Sequence, residues 1–339
     1  MSADVIPVSV LTGFLGSGKT TMLRHLLRQP EFSRTAVIIN EFGEIGLDHD
    51  LIAASEDSFI ELMTGCLCCK VRSDLAQTLQ ELLQRRDDGR CAPFDRIVIE
   101  TSGLADPAPI LQTLMTDVTI AGRLVLGAVV TTVDAANGLG TLENEAISRK
   151  QVAVADRIVL TKLDLATSSE PTLRRQLEAL NAGAPVVAAD HGRIDAKRIF
   201  NTGLYDPQTR SADVMSWLAK DSPAHSLHDA DIQAHAIVRE RPIGAVTLTL
   251  FLEALAEHCG AALLRLKGIV NIAENSGRPA VVHGVQHVFH APVWLDRWPS
   301  DDRSSRMVFI TRRIPRRWLE VLLEAIEAEV ADVQSRADS

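Results

Sequence analysis

Residues 13–20, Gly-Phe-Leu-Gly-Ser-Gly-Lys-Thr, constrain this chain more than any other stretch. A glycine, four free positions and then Gly-Lys-Thr is the spacing of a loop that cradles phosphates. Ile6-Pro7-Val8-Ser9-Val10-Leu11 precedes it as a short apolar run of buried-strand type, and Met22, Leu23, Leu26 and Leu27 follow at helical spacing. The loop is therefore expected to join a strand to a helix. In that setting backbone N–H groups of the turn and of the helix N-terminus converge on phosphate oxygens, and Gly13, Gly16 and Gly18 leave the backbone room to approach. Lys19 is expected to reach the β- and γ-phosphates, and the Thr20 hydroxyl to ligate Mg²⁺.

The rest of the first two hundred residues alternates strand and helix patterns. Thr35–Asn40, Phe59–Leu62, Arg96–Ile99, Leu124–Val133, Ile158–Leu160 and Pro185–Val187 are short apolar, β-rich runs. Leu75, Leu79, Leu82 and Leu83 mark an amphipathic helix between the second and third of them. Such alternation predicts an α/β fold, a P-loop NTPase with a mostly parallel sheet covered by helices. Around 204–234 the pattern dissolves into Asp, Ser, Pro and His, as in a linker. Strand candidates at Leu263–Ile272, Ala280–Phe289 and Met307–Thr311 then stand between a helical span at Leu248–His258 and a closing helix. In that closing helix Trp318, Leu319, Leu322, Leu323, Ile326 and Val330 are expected on one core face. The expected organisation is a nucleotide-binding domain over 1–205, a linker over 206–234, a smaller C-terminal α+β domain over 235–331 and a tail over 332–339.

A chain of 339 residues fits two domains at about 150 residues each. With 35 Lys and Arg against 44 Asp and Glu, its net charge of −9 argues against general binding to nucleic acid or to an anionic membrane. No apolar stretch is expected to reach the ~18 residues of a membrane span, and Ser2–Pro7 lacks the positive start of a signal peptide, so a cytoplasmic protein is expected.

Glu100 ends a buried strand, where a carboxylate can hold the Mg²⁺ shell directly or through water, and Gly103 lets backbone approach the γ-phosphate. Thr161-Lys162-Leu163-Asp164 follows a later strand. There a buried Asp164 carboxylate can accept from guanine N1–H and the exocyclic amine while the Lys162 stem packs on the purine. Adenine offers neither donor, so GTP is favoured over ATP by a few kcal/mol. Cys66, Cys68 and Cys69 place three thiols in one tight loop, too close in sequence for a disulfide framework. Thiolates select thiophilic ions, with Zn²⁺ the default and Cu(I) the alternative. Three of them leave one tetrahedral position for water or for Glu41 or Glu44. Cys91 and Cys259 stand alone and are expected to be structural. His225, His228 and His235 fall in the linker region, and His283, His287 and His290 on one strand, with His283 and His287 sharing a face. Solvated or hydrogen-bonded imidazoles are the simpler reading of these six, and auxiliary metal collection the other.

Taken in order, GFLGSGKTT, NEFGEIGLD, GCLCC, ETSGLADP and TKLD resemble the CobW-type family of P-loop GTPases, relatives of which help insert nickel into urease and hydrogenase. Arg265-Leu266-Lys267-Gly268-Ile269 and Val308-Phe309-Ile310 resemble the family's C-terminal domain. The resemblance implies binding of GTP and GDP with Mg²⁺, with phosphate and metal contacts from Gly16, Ser17, Gly18, Lys19, Thr20 and Thr21. It implies Glu100 as the Walker B carboxylate, Thr161, Lys162 and Asp164 at the base, and Zn²⁺ on the three cysteines. It further implies nucleotide-dependent metal delivery to a client protein, with residues 40–48 as the switch loop. The base motif usually opens with Asn, where this chain has Thr161. Two other readings stay open: a non-catalytic zinc buffer or sensor, and a small-molecule kinase on the same phosphate loop. The sequence leaves the client and any homo-oligomer undefined.

Overall fold

A buried strand that is apolar on both faces has to sit inside a sheet covered on both sides, and the N-terminal half of the chain is built from such strands. The computed structural model describes residues 5–40, 59–61, 71–166, 170–200 and 231–337. The chain divides into two compact units.

In the first unit, β1 (Ile6–Gly13) runs through the phosphate loop into α1 (Lys19–Leu27). β2 (Thr35–Asn40), β3 (Phe59–Glu61), α2 (Val71–Asp87) and β4 (Arg96–Thr101) follow. After them come α3 (Ala108–Thr116), β5 (Leu124–Asp134), α4 (Gly138–Asn144), α5 (Ala146–Ala153) and β6 (Arg157–Thr161). The unit continues with α6 (Glu170–Leu180), β7 (Val186–Ala188) and the short α7 (Lys197–Phe200). Among the described residues seven strands form one sheet in the order β3-β2-β4-β1-β5-β6-β7, every pair parallel. The order reverses around β1, so the phosphate loop leaves the sheet at its carboxyl edge between β4 and β5, where open α/β sheets bind ligands. Register sets the neighbours: Leu11 lies beside Glu100 on β4, and Gly13 beside Thr132 on β5.

The apolar residues of α1 explain its seat. Met22, Leu23 and Leu26 are buried against Leu11, Val98, Val130 and Val159 of the sheet, with Phe32 and Phe200 closing the end at 5.2 Å between ring centroids. Each such side chain contributes about 1.5–3 kcal/mol by leaving water. In α2, Leu75, Leu79, Leu82 and Leu83 are buried as their spacing predicts. Asp106 Oδ1 accepts the Ala108 N–H at 3.0 Å and so begins α3, with Pro107 supplying the first helical carbonyl to Leu111.

The second unit comprises β8 (Ile232–Arg239), α8 (Ala245–Cys259), β9 (Leu263–Val270), β10 (Ala280–Val285), β11 (Val288–Phe289), β12 (Val293–Trp294), β13 (Ser305–Arg312) and α9 (Arg316–Ala337). Its sheet is antiparallel in the order β11-β10-β9-β13-β8, with β12 on β10. Phe251 and Leu255 of α8 and Leu319 and Leu323 of α9 pack with Ile237, Leu266, Val282, Met307 and Phe309 of the sheet. This is the expected α+β architecture.

The region assigned to a linker up to residue 234 already contains β8, because Ile232, Gln233 and Ala234 pair with Arg312, Thr311 and Ile310. Residues 332–337, expected as tail, continue α9, and Asp332 pairs with Arg336 one turn on. Ala280–Phe289 is a hairpin, not one strand: Gln286 takes a left-handed φ of 55° and the chain reverses so that Val285 faces Val288. His283 and His287 therefore share no strand face, since His287 lies in the turn. Trp318 is 38% exposed, because at 100° per residue it lies at the rim of the face centred on Leu319 and Leu323. An apolar stretch of 18 residues does exist, Ala245–Ala262, with mean hydropathy 1.2; within it Leu248, Phe251, Leu252, Leu255 and Cys259 belong to the core just described.

Candidate functional site

Where β1 ends, the loop folds tightly because it must pass close to β5. A Cβ on Gly13, whose φ is 141°, would stand 2.4 Å from Thr132 Oγ1 and 2.5 Å from the Thr132 carbonyl oxygen. Only glycine fits there. Gly18 takes the left-handed region with a φ of 91° and turns the chain into α1, whose first residue is Lys19. Ser17 Oγ is 2.7 Å from Thr132 Oγ1, and the Ser17 N–H donates to the Phe14 carbonyl at 3.1 Å, so the loop is tied both to β5 and to itself. Lys19 is buried, and its Nζ donates to the carbonyls of Gly13 at 2.9 Å and Phe14 at 3.2 Å. The ammonium is thus folded back over the loop's own carbonyl oxygens, which accept from it.

Beneath the loop, the Thr20 hydroxyl donates to Glu100 Oε1 at 2.6 Å. Glu100 is 2% exposed at the carboxyl end of β4, one strand from β1. A hydroxyl and a carboxylate brought together from positions 80 apart, beside Lys19, form an oxygen donor set of the kind that Mg²⁺ takes. After Thr101 the chain turns through Gly103, where an added Cβ would lie 2.6 Å from the Leu15 nitrogen. Glycine lets this turn rest directly on the phosphate loop.

The 161–164 turn is tied to the same loop. Thr161, at the end of β6, donates through Oγ1 to the Ser17 carbonyl at 2.7 Å and lies 3.3 Å from the Val133 carbonyl. Lys162 follows in the left-handed region with a φ of 54°, and its Nζ donates to Asp134 Oδ2 at 2.8 Å. Asp134 ends β5 and also accepts from the amides of Ala136 and Asn137 and from Asn137 Nδ2. Burial pushes its carboxyl up, but the bonds from Lys162, Asn137 and the two amides outweigh that and hold its pKa below the ordinary carboxylate range. Asp164 was expected buried, yet its side chain is 40% exposed, since the turn Leu163–Leu165 that carries it lies beyond the sheet edge. His191, at a φ of 47° in the turn after β7, sets Nδ1 3.8 Å from Asp164 Oδ2.

Thr21 is exposed on the first turn of α1, and Gly16, with a φ of 68°, has open space around it. The structure thus gathers Gly13, Gly16, Ser17, Gly18, Lys19, Thr20, Glu100, Gly103, Thr161 and Lys162 around one loop. Glu41, Glu44, Cys66, Cys68, Cys69, His225 and His228 lie outside the described residues, as does the switch stretch 41–48. Among the described residues no group of three or more His, Cys, Asp or Glu side chains could hold a metal. His235 is half of a core hydrogen bond, its Nε2 2.9 Å from the Ile314 carbonyl. Asp134 closes the apolar run Leu124–Val133, which marks its place at a sheet edge but not its contact with Lys162, and nothing in the local pattern marks His191.

A phosphate loop, a strand-end glutamate and a Lys-x-Asp turn at the carboxyl edge of a parallel sheet define a P-loop GTPase. The sequence profile described as "CobW/HypB/UreG, nucleotide-binding domain" matches residues 7–188, and that of the "Cobalamin synthesis protein cobW C-terminal domain" matches residues 232–327. The chain belongs to the CobW family. It is 36% identical over 312 residues to the zinc chaperone YjiA of Escherichia coli, covering 91% of this chain and 95% of that protein. It is 32% identical over 299 residues to the zinc chaperone CobW of Sinorhizobium sp, covering 79% and 82%. The crystal structure of Zn(II)-bound YjiA GTPase from E. coli superposes with a TM-score of 0.72 at 30% identity, over 95% of this chain and 99% of that one.

Proposed function

We propose that this protein is a GTP-hydrolysing metallochaperone that carries Zn²⁺ on Cys66, Cys68 and Cys69 and hands it to a client protein in a nucleotide-dependent step, in the cytoplasm. The single observation that carries the nucleotide half is the contact of Thr20 with Glu100 beneath the Lys19 cradle. Lys19 leaves the carbonyls of Gly13 and Phe14 for the β- and γ-phosphates when GTP fills the loop. Thr20 and Glu100 would hold Mg²⁺, directly or through water, and the ion would neutralise charge on the phosphate oxygens. Gly103 brings backbone up to the γ-phosphate. Asp164 reads the guanine edge, and Lys162, anchored by Asp134, lays its stem along the base.

The metal half is supported by the cysteine spacing and by the zinc-chaperone names of the relatives. The three cysteines stand in sequence between the 41–48 stretch and β4, the two segments through which hydrolysis would reach the cargo site. Glu41 or Glu44 completes the zinc shell in one nucleotide state, and hydrolysis withdraws it. A coupling of about 1–3 kcal/mol corresponds to a roughly 5- to 150-fold change in zinc affinity, and linkage requires zinc to alter the GTP/GDP preference by the same factor. The test is competition against a chromophoric zinc chelator with a non-hydrolysable GTP analogue and with GDP, repeated for Cys66→Ser, Cys68→Ser and Cys69→Ser. Equal zinc affinity in both nucleotide states rejects the coupling; wild-type affinity in all three serine variants rejects the site.

A further inference from the structure

Gln151 lies in α5 with 0% of its surface exposed. Its Nε2 donates to two carbonyls of the turn that follows β4, those of Gly103 and Ala105, each at 3.1 Å. Two acceptors facing one end of the amide settle its orientation, since the flipped form would set Oε1 against both of them. The adjacent Lys150 sends Nζ to Asp106 Oδ2 at 2.8 Å, and the Gln151 carbonyl accepts from Thr131 Oγ1 on β5 at 2.8 Å. One helical turn thus grips residues 103, 105 and 106 while being held itself to a strand beside the phosphate loop.

The gripped turn also holds itself, with the Leu104 N–H 3.5 Å from Ser102 Oγ and Asp106 Oδ1 accepting the Ala108 N–H. Within it the Ala105 N–H donates to the Ser102 carbonyl at 3.0 Å, and Gly103 presses on Leu15 so closely that no Cβ fits. Gln151 Oε1 is buried without a hydrogen-bond partner among the described residues. A side chain kept only to fill space would be apolar and would strand no acceptor, so Gln151 is present for its donors.

We propose that Gln151 is the positioning residue of the turn at Gly103, setting how closely that backbone approaches the phosphate loop and hence the rate of GTP hydrolysis. It touches neither nucleotide nor metal, and its effect passes through Gly103. The inference rests on the reading of Gly103 as the element that meets the γ-phosphate.

Gln151→Met keeps the length of the side chain and removes both the donors and the stranded acceptor, but it leaves the Gly103 and Ala105 carbonyls unmet, so thermal unfolding is recorded beside the kinetics to show that the variant is folded. Full-length Gln151→Met and Gly103→Ala are compared with the wild type for turnover at saturating GTP and for GDP affinity. For Gln151→Met, kcat is expected to fall about tenfold, the equivalent of about 1.4 kcal/mol, while GDP affinity stays within about twofold. Gly103→Ala is expected to slow turnover at least as much. Wild-type turnover in Gln151→Met beside a slow Gly103→Ala overturns the role of Gln151 alone. Wild-type turnover in Gly103→Ala overturns the reading of Gly103 and the inference with it. A parallel loss of GDP binding in Gln151→Met also overturns the proposal, because it marks a residue that merely holds the fold.

Discussion

Thr161→Val tests whether the base motif and the phosphate loop act as one body. The substitution preserves the branched shape and deletes one hydroxyl, which donates at 2.7 Å to the Ser17 carbonyl from a residue 3% exposed. No cavity of consequence opens, so the cost is that of a buried acceptor left unmet, about 1–3 kcal/mol. If all of it appears in binding, GTP affinity falls about 5- to 150-fold at a tenfold change per 1.4 kcal/mol. If it appears in the unliganded fold instead, the unfolding midpoint of the N-terminal unit drops by about 2–4 °C for each kcal/mol lost. Calorimetric titration with GDP and a non-hydrolysable GTP analogue, beside thermal unfolding of the nucleotide-free protein, separates the two. Thr161→Ser, which restores the donor, should recover most of either loss. Wild-type affinity together with a wild-type midpoint in Thr161→Val would refute the claim that this hydroxyl couples β6 to the loop.

Lys19→Ala removes the cation cradled on the Gly13 and Phe14 carbonyls, and turnover should fall on the order of 10²–10³-fold with GTP binding greatly weakened; unchanged phosphate release would sink the loop assignment. Asp164→Asn should exchange guanine preference for xanthine, because an amide can donate to the oxygen that replaces the exocyclic amine. If GTP and XTP affinities fail to move in opposite directions, Asp164 does not read the base. Asp134 has its native pKa depressed, so its carboxylate stabilises the fold fully above the unfolded value of about 3.9, and that contribution is lost as pH falls through the lower native value. Acid unfolding of Asp134→Asn, followed by circular dichroism between about pH 5 and pH 2, should therefore show a shallower loss of stability than wild type; identical slopes would show that the Lys162 pair carries no such linkage.

The features legible in the chain were those whose chemistry is carried at fixed local spacing. Gly13 to Thr20 announces a phosphate-binding turn between strand and helix, because its glycines, lysine and hydroxyl stand at a fixed spacing that one short loop can bring to a single ligand. The strand-end position of Glu100 and the turn after β6 were legible for the same reason, since an apolar run that stops at a carboxylate marks a sheet edge. What no spacing announces is which distant side chain completes each of these pieces. Gln151 meets Gly103 across 48 positions, Lys162 meets Asp134 across 28, and Thr161 meets Ser17 across 144. Those meetings depend on strand order and register, and the order β3-β2-β4-β1-β5-β6-β7 follows from packing of whole helices on a sheet. The hairpin at Gln286 and the exposed Trp318 escaped periodicity for a related reason. A period of two or 3.6 shows that residues share a face only while the element continues, and packing against neighbours decides where the element ends and which part of a face is covered.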